Sequence, residues 1–323
     1  MKRRLFRFAA GAVVSGLILA ALLSFTDANA VASVLAKTNP IGALAGLGLY
    51  ALAYVPRALR LRAVGLKAPF RTLLAISLVH AAINKLMPLR AGELSYPWLA
   101  RRVAGQGIGQ AFLGLVYLRI LDIVGVALLF AATLAFRGSR FRGDVTWSLA
   151  FALALLVASV AALLFLRPLL RLTIALGERL AGPRGILERA RRAVEAFPNL
   201  GLRAHLGLGA LTVVAWLFVY GTYYTLLSAF GFALGGAETV LGSTAGVVAS
   251  VLPVQGLGSF GTLEVGWAMG MSLVGVDLGT AIATGVGVQI FTFGYAMLLG
   301  AWGWSGLRPS SAVTVDPLGG HPL

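Results

Sequence analysis

The chain has 323 residues, 59% hydrophobic and 12% charged, with a mean hydropathy of +0.88; soluble domains carry about 25% charged residues, so this composition marks an integral membrane protein. Twenty-seven Lys and Arg against eleven Asp and Glu give a net charge of +16, but the cations cluster in short segments between apolar runs, a pattern of membrane topology and not of a nucleic-acid-binding face. The lack of cysteine excludes disulfides, thiolate nucleophiles and Cys-ligated metals, and His80, His205 and His321 are too scattered for a multi-histidine site, so neither metal nor cofactor is expected.

The first apolar run, 5–25, follows Lys2, Arg3 and Arg4 and precedes Ala28-Asn29-Ala30, a small-x-small sequence of the signal-peptidase kind. It exceeds a signal core of ~7–15 residues and suffices to cross ~30 Å of hydrocarbon, so an uncleaved helix is expected, with cleavage after Ala30 as the alternative. Further runs cover 41–58, 72–100, 110–136, 147–166, 206–232, 240–276 and 278–304. Two of them are interrupted. The run 72–100 breaks between Asn84 and Glu93, with Pro88 and Gly92 as breakers, and 240–276 breaks between Pro253 and Glu264, with Gly256, Gly258 and Gly261. Irregular backbone at membrane depth survives only where protein or a water-filled cavity satisfies its polar groups.

Positive charge decides whether these broken runs cross or turn back, because short cytoplasmic loops hold the excess of Lys and Arg. If both turn back, twenty Lys and Arg lie inside, including Arg57, Arg60 and the eight arginines from Arg167 to Arg203, and four lie outside. If the first crossed, the tally would be twelve on each side. Re-entry is therefore expected. The fold class that follows is all-α: a polytopic bundle of about six full spans plus two re-entrant helical hairpins, with 41–136 and 206–304 as inverted repeats, the architecture of secondary transporters. It forms one domain over 1–305, with a cytoplasmic connector at 167–203, a disordered tail at 306–323 and both termini cytoplasmic in a bacterial-type inner membrane. Within the connector, the segment from Glu188 to Phe197 has a thin apolar face and suggests an interfacial helix drawn to anionic lipid, or equally a solvated linker.

Six ionisable residues fall inside the apolar runs or their breaks, Lys85, Arg90, Glu93, Arg119, Asp122 and Glu264, and they sum to zero. Each would cost ~2.5–3.5 kcal/mol at the bilayer centre, so they must pair or line a wet cavity. Arg90 with Glu93, and Arg119 with Asp122, stand three apart and share a helix face. For Arg119 and Asp122 a purely structural ion pair explains the pattern equally well. Glu264 has no opposite charge nearby in sequence and is expected to find Lys85, Arg90 or Arg119 across the repeat. His80 reads as a helix contact in preference to a proton relay. Asn84 and Gln255 read as backbone-satisfying groups that could also touch a ligand, and the three glycines as a tight turn or an anion cup.

Pro88 through Glu93 followed by Arg101-Arg102, then Leu118 through Asp122, then Leu252-Pro253 through Gly261 to Glu264, resemble in order and spacing the three signatures of the lysylphosphatidylglycerol synthase transmembrane, or flippase-like, family. The resemblance covers nearly the whole chain and implies a polytopic inner-membrane protein acting on lipids or lipid-linked headgroups. The wording from Gly92 to Pro97 and from Pro253 to Gly256 looks closest to the branch associated with hopanoid biosynthesis. Two positions depart from the pattern: Tyr96 stands where many members carry arginine, and Gln255 and Gly256 replace part of a Pro-x-Pro-Gly-Gly turn. Aminoacyl-transferring members also carry a soluble synthase domain, which is not expected here.

The leading expectation is a translocase for a lipid or lipid-linked substrate with a polar, anionic headgroup. Arg90, with Lys85 or Arg119, would contact the headgroup, and Glu93 and Glu264 would release those cations or take protons. No lysine follows a glycine as a P-loop requires. The alternatives are a membrane transferase on a lipid donor, although no Asp-x-Asp occurs, and a non-catalytic accessory subunit of a lipid-synthesis complex.

Overall fold

The computed structural model describes residues 28–181, 185–250 and 262–307, and among them every regular element is a helix. The expected first span, the tip of the second hairpin and the tail lie outside the described residues. A short α1 (Ala28–Ala36) leads to α2 (Pro40–Leu52). Asn39 caps α2, its Oδ1 accepting from the backbone N–H of Ile41 at 2.9 Å, and Pro40 takes the first turn, where a missing N–H costs nothing. The helix breaks at Ala53 and resumes as α3 (Tyr54–Ala63). Pro56 explains the break, because it cannot donate to the Leu52 carbonyl and its ring crowds that oxygen.

Then come α4 (Phe70–Leu86), a 3₁₀ turn over Pro88–Leu94, α5 (Ser95–Ala104) and α6 (Ile108–Arg137). Gly105 ends α5 in the left-handed region at φ 66°, a conformation glycine adopts freely. A long α7 (Val145–Ala181), α8 (Gly185–Ala196), α9 (Leu202–Ala229), α10 (Gly236–Ala249), α11 (Thr262–Ser272) and α12 (Leu278–Gly306) complete the described chain. Among the described residues, five stretches are long and apolar enough to cross a membrane: Pro40–Ala63, Ile108–Arg137, Val145–Arg179, Leu202–Ala229 and Leu278–Gly306.

The two interrupted runs each fold as an antiparallel pair of shorter helices. In the first, His80 of α4 faces Ser95 and Tyr96 of α5, and Gly92 lies so close to Asn84 that a Cβ would collide with its backbone. In the second, Gly246 of α10 lies on Trp267 of α11 and Gly266 on Ala245 and Ala249, so small residues bring the two backbones into contact. α12 packs on α4 and on α11, while α9 packs on α2 and α3. The central aromatic core holds Tyr50, Tyr54, Trp267 and Tyr295.

One boundary differs from expectation. The apolar run of α7 ends at Leu166, yet the helix continues through Pro168 to Ala181, so the first part of the expected connector is helical. Arginine, leucine and glutamate favour helix as much as apolar residues do, and Pro168 forfeits one bond, to the Leu164 carbonyl.

Candidate functional site

The face of α2 and α3 that carries Tyr50, Tyr54, Arg57 and Arg60 points toward α9. Arg57 lies 5.1 Å from the centre of the Tyr54 ring and 5.7 Å from that of Trp216, a cation held between two aromatic faces. Arg60 is 3% exposed. Its Nη1 donates to Asp122 Oδ1 at 2.7 Å and to Thr212 Oγ1 at 2.9 Å. Asp122 also accepts from Trp216 Nε1 at 3.3 Å and from Arg119 Nη1 at 3.4 Å.

Arg119 carries the network onward. Its Nη2 donates to both carboxylate oxygens of Glu93, at 2.7 and 2.9 Å. Glu93 accepts from Asn84 Nδ2 at 3.3 Å, and His80 Nε2 at 3.6 Å and Arg90 Nη1 at 3.7 Å stand within ion-pair distance. An unbroken series, Arg60, Asp122, Arg119, Glu93, thus ties α3 to α6 and to the turn after α4. Charges so arranged compensate one another's desolvation, which no single member achieves alone.

Two further contacts reach the second helix pair. Arg90, in the left-handed region at φ 55°, donates from Nε and Nη2 to the Ser250 carbonyl at 3.1 and 2.6 Å. That carbonyl closes the C-terminus of α10, where the helix dipole is negative. Lys85 Nζ donates to Gln289 Oε1 and Thr292 Oγ1 of α12, each at 3.0 Å. Glu264 is fully buried in the first turn of α11.

These groups surround a cavity of about 240 Å³ lined by five cations, Arg57, Arg60, Lys85, Arg90 and Arg119, and one carboxylate, Asp122. Tyr50, Tyr54, Tyr223 and Trp216 supply an aromatic wall. Arg119 keeps 40% of its side-chain surface open. Tyr96, at the position where an arginine is commoner in the resembled signature, also lines the cavity, edge-on to His80 at 5.9 Å. Its hydroxyl is buried without a hydrogen-bond partner among the described residues.

Lys85, Arg90, Glu93, Arg119, Asp122 and Asn84 therefore come together at one centre. The pairing is redistributed. Asp122 bonds most closely to Arg60, not to Arg119, Glu93 is held by Arg119 more tightly than by Arg90, and Asn84 serves the Glu93 carboxylate, not the backbone. Gln255 and the turn residues Pro253, Gly256, Gly258 and Gly261 lie outside the described residues. Pro88 opens the 3₁₀ turn, as its preset φ suits.

One assignment needs correction. Arg57 and Arg60 belong to the charge-bearing interior and not to an inner loop, because α3 extends the stretch that begins at Pro40 as far as Ala63. A signal for them existed in the i, i+4, i+7 spacing of Tyr50, Tyr54 and Arg57, with Arg60 one turn further. Their inclusion replaces the expected neutrality with a positive excess at the cavity wall.

No curated protein matches the chain. A family model described as the lysylphosphatidylglycerol synthase TM region matches residues 8–300, which include every described residue of this centre. The chain belongs to the lysylphosphatidylglycerol synthase transmembrane family, which connects this membrane protein with lipids.

Proposed function

We propose that the chain is a translocase for a lipid, or lipid-linked molecule, whose anionic headgroup enters the cavity between the two helix pairs. The observation that carries this reading is the lining: five cations against one carboxylate, with Glu93 standing behind one of those cations. Left empty of anions, such a wall is costly to keep away from water. A phosphate or carboxylate on the substrate would compensate it, taking bidentate bonds from the guanidinium groups. Arg57, Arg90, Arg119 and Lys85 hold the headgroup in this reading. Glu93 and Glu264 reclaim Arg119 and Lys85 when it leaves.

Alternating access is the natural companion of that chemistry. We take α4 with α5, and α10 with α11, as re-entrant hairpins from opposite faces, and 41–136 and 206–304 as inverted repeats. In support, α5, α10 and α11 have 10, 14 and 11 residues, or about 15–21 Å at the α-helical rise, well short of ~30 Å of hydrocarbon. The bias of Lys and Arg toward one side supports cytoplasmic termini.

The test is a headgroup-accessibility assay in proteoliposomes, comparing wild type with Arg57→Met, Arg90→Ala and Glu264→Gln. Arg57 makes no ion pair at salt-bridge distance among the described residues, so Arg57→Met should fold normally and still slow lipid movement at least tenfold. Equal background rates for every preparation and every lipid would leave the accessory-subunit reading in its place, and chemical conversion of the labelled lipid would favour a transferase.

A further inference from the structure

A second cavity, of about 670 Å³, lies between α6, α7 and the segment joining α8 to α9. It shares no lining residue with the first. Leu163, Leu166 and Phe197 give it apolar walls, and Arg167, Arg171 and His205 give it basic ones, with no carboxylate among the described residues of the lining. Tyr117 of α6 is 2% exposed, packed on Phe197 and His205 at ring separations of 5.7 and 6.0 Å. Its hydroxyl is buried with no hydrogen-bond partner among the described residues, and so is Arg167 Nε, although Arg167 Nη1 donates to Asn199 Oδ1 at 3.1 Å. Two unanswered buried donors beside a further exposed arginine call for acceptor oxygens.

The level of this cavity names the molecule that brings them. The apolar run of α7 ends at Leu166, so Arg167 and Arg171 stand where hydrocarbon gives way to headgroups. Leu164, 59% exposed, stands beside them in the cavity lining. We infer that this cavity is a binding site for an anionic phospholipid, its phosphate on Arg167 and Arg171, its glycerol-ester oxygens on Tyr117, and its upper acyl chain along Leu163 and Leu166. A soluble anion would answer the arginines and leave the apolar walls wet, whereas a zwitterionic lipid would set its own cation against them. Basic pockets between membrane helices take anionic headgroups for this reason. The site is independent of the translocation reading, and Tyr117 takes no part in the first cavity.

The experiment uses the full-length protein in detergent, with dioleoylphosphatidylglycerol, dioleoylphosphatidylcholine or inorganic phosphate as probe. Lipid retention is read by native mass spectrometry and the unfolding midpoint by a thermal ramp. Phosphatidylglycerol should be retained and should raise the midpoint; the other two should not. Tyr117→Phe, which deletes only the unanswered hydroxyl, should keep the lipid-free midpoint and weaken phosphatidylglycerol retention about threefold to tenfold. Arg167→Gln should weaken it more, and the exposed Arg189→Gln should leave it unchanged. Equal protection by phosphatidylcholine, equal protection by phosphate, or wild-type retention by both Tyr117→Phe and Arg167→Gln would each overturn the assignment.

Discussion

Arg90 and Ser250 join the two helix pairs: the guanidinium of the first turn donates twice to the carbonyl that ends α10, at 3.1 and 2.6 Å. The residue achieving this is a non-glycine at φ 55°, a conformation that costs a side-chain-bearing residue roughly 1–2 kcal/mol. Strain of that kind persists where surrounding contacts hold it, and it gathers at moving or binding sites. In the proposed cycle this contact must break when the cavity changes sides.

Its energetics are separable by two substitutions. Arg90→Ala loses the bonds and keeps the strain, while Arg90→Gly loses the bonds and relieves the strain. The glycine variant is therefore expected to be the more stable, by about 1 kcal/mol, as measured by thermal unfolding in detergent. Both should lose lipid movement. An alanine variant as stable as the glycine one would show that the left-handed backbone carries no cost.

At the N-terminal end of α12 the Asp277 carboxylate accepts from the Thr280 N–H at 2.9 Å. Bonding to Thr280 holds its pKa below the ordinary carboxylate value. The sign follows: the cap stabilises the helix above the unfolded pKa of about 3.9 and is lost as pH falls through the folded one. Asp277→Ala should cost about 1 kcal/mol at neutral pH and less in acid, once the carboxyl protonates. Asp277→Asn should keep most of the cap at both, and an Asp277→Ala deficit that does not shrink in acid would refute this account.

The bundle was readable in the sequence because its breakers, Pro88 and Gly92, stand inside apolar runs where nothing else explains them. Lys85, Arg90, Glu93, Arg119 and Asp122 were readable as charges inside apolar runs, whereas Arg57, Arg60 and the pairing were not. Residues three apart, Arg90 with Glu93 and Arg119 with Asp122, do approach one another, yet their shorter bonds go to partners set by tertiary packing, Arg119 to Glu93 and Arg60 to Asp122. Arg60 was hidden for a physical reason. Three arginines in α3, with Lys67 just beyond it, mimic an inner loop, and only the fold separates Arg57 and Arg60, turned inward, from Arg62, which bonds the Ala68 carbonyl at the exposed surface. The long α7 escaped notice likewise, since charge ends hydropathy without ending a helix.

The contact between α10 and α11 rests on absent side chains. A Cβ on Gly270 would run into the Gly242 carbonyl, so Gly270→Val must separate the two helices. Overpacking of a close contact costs about 1–3 kcal/mol, or more where backbone is the obstacle. Gly231→Ala is the comparison, since a Cβ there meets nothing within 4 Å and its penalty comes only from φ 88°. Gly270→Val should unfold at the lower temperature and lose lipid movement, whereas Gly231→Ala should lose stability alone. Equal activity in the two variants would detach the hairpin from function.

The Arg60–Asp122 bond is the most deeply buried ion pair of the centre, with side-chain exposures of 4% and 12%. Removing one partner of such a pair leaves an uncompensated charge and costs about 3–5 kcal/mol. Asp122 has more than one other donor, Trp216 and Arg119, whereas Arg60 has Thr212 alone among neutral partners. Arg60→Met should therefore be the milder change and Asp122→Leu the harsher, since the latter strands Arg60 and frees Arg119 together. The double variant should recover part of the loss, with a coupling of about 1–3 kcal/mol in a thermodynamic cycle. Lipid movement separates structure from mechanism. If the pair only anchors α3 to α6, the double variant should move lipid nearly as fast as its remaining folded fraction allows. If Arg60 also belongs to the cation wall, as its place in the cavity lining implies, activity per folded molecule should fall at least tenfold even where stability has been recovered.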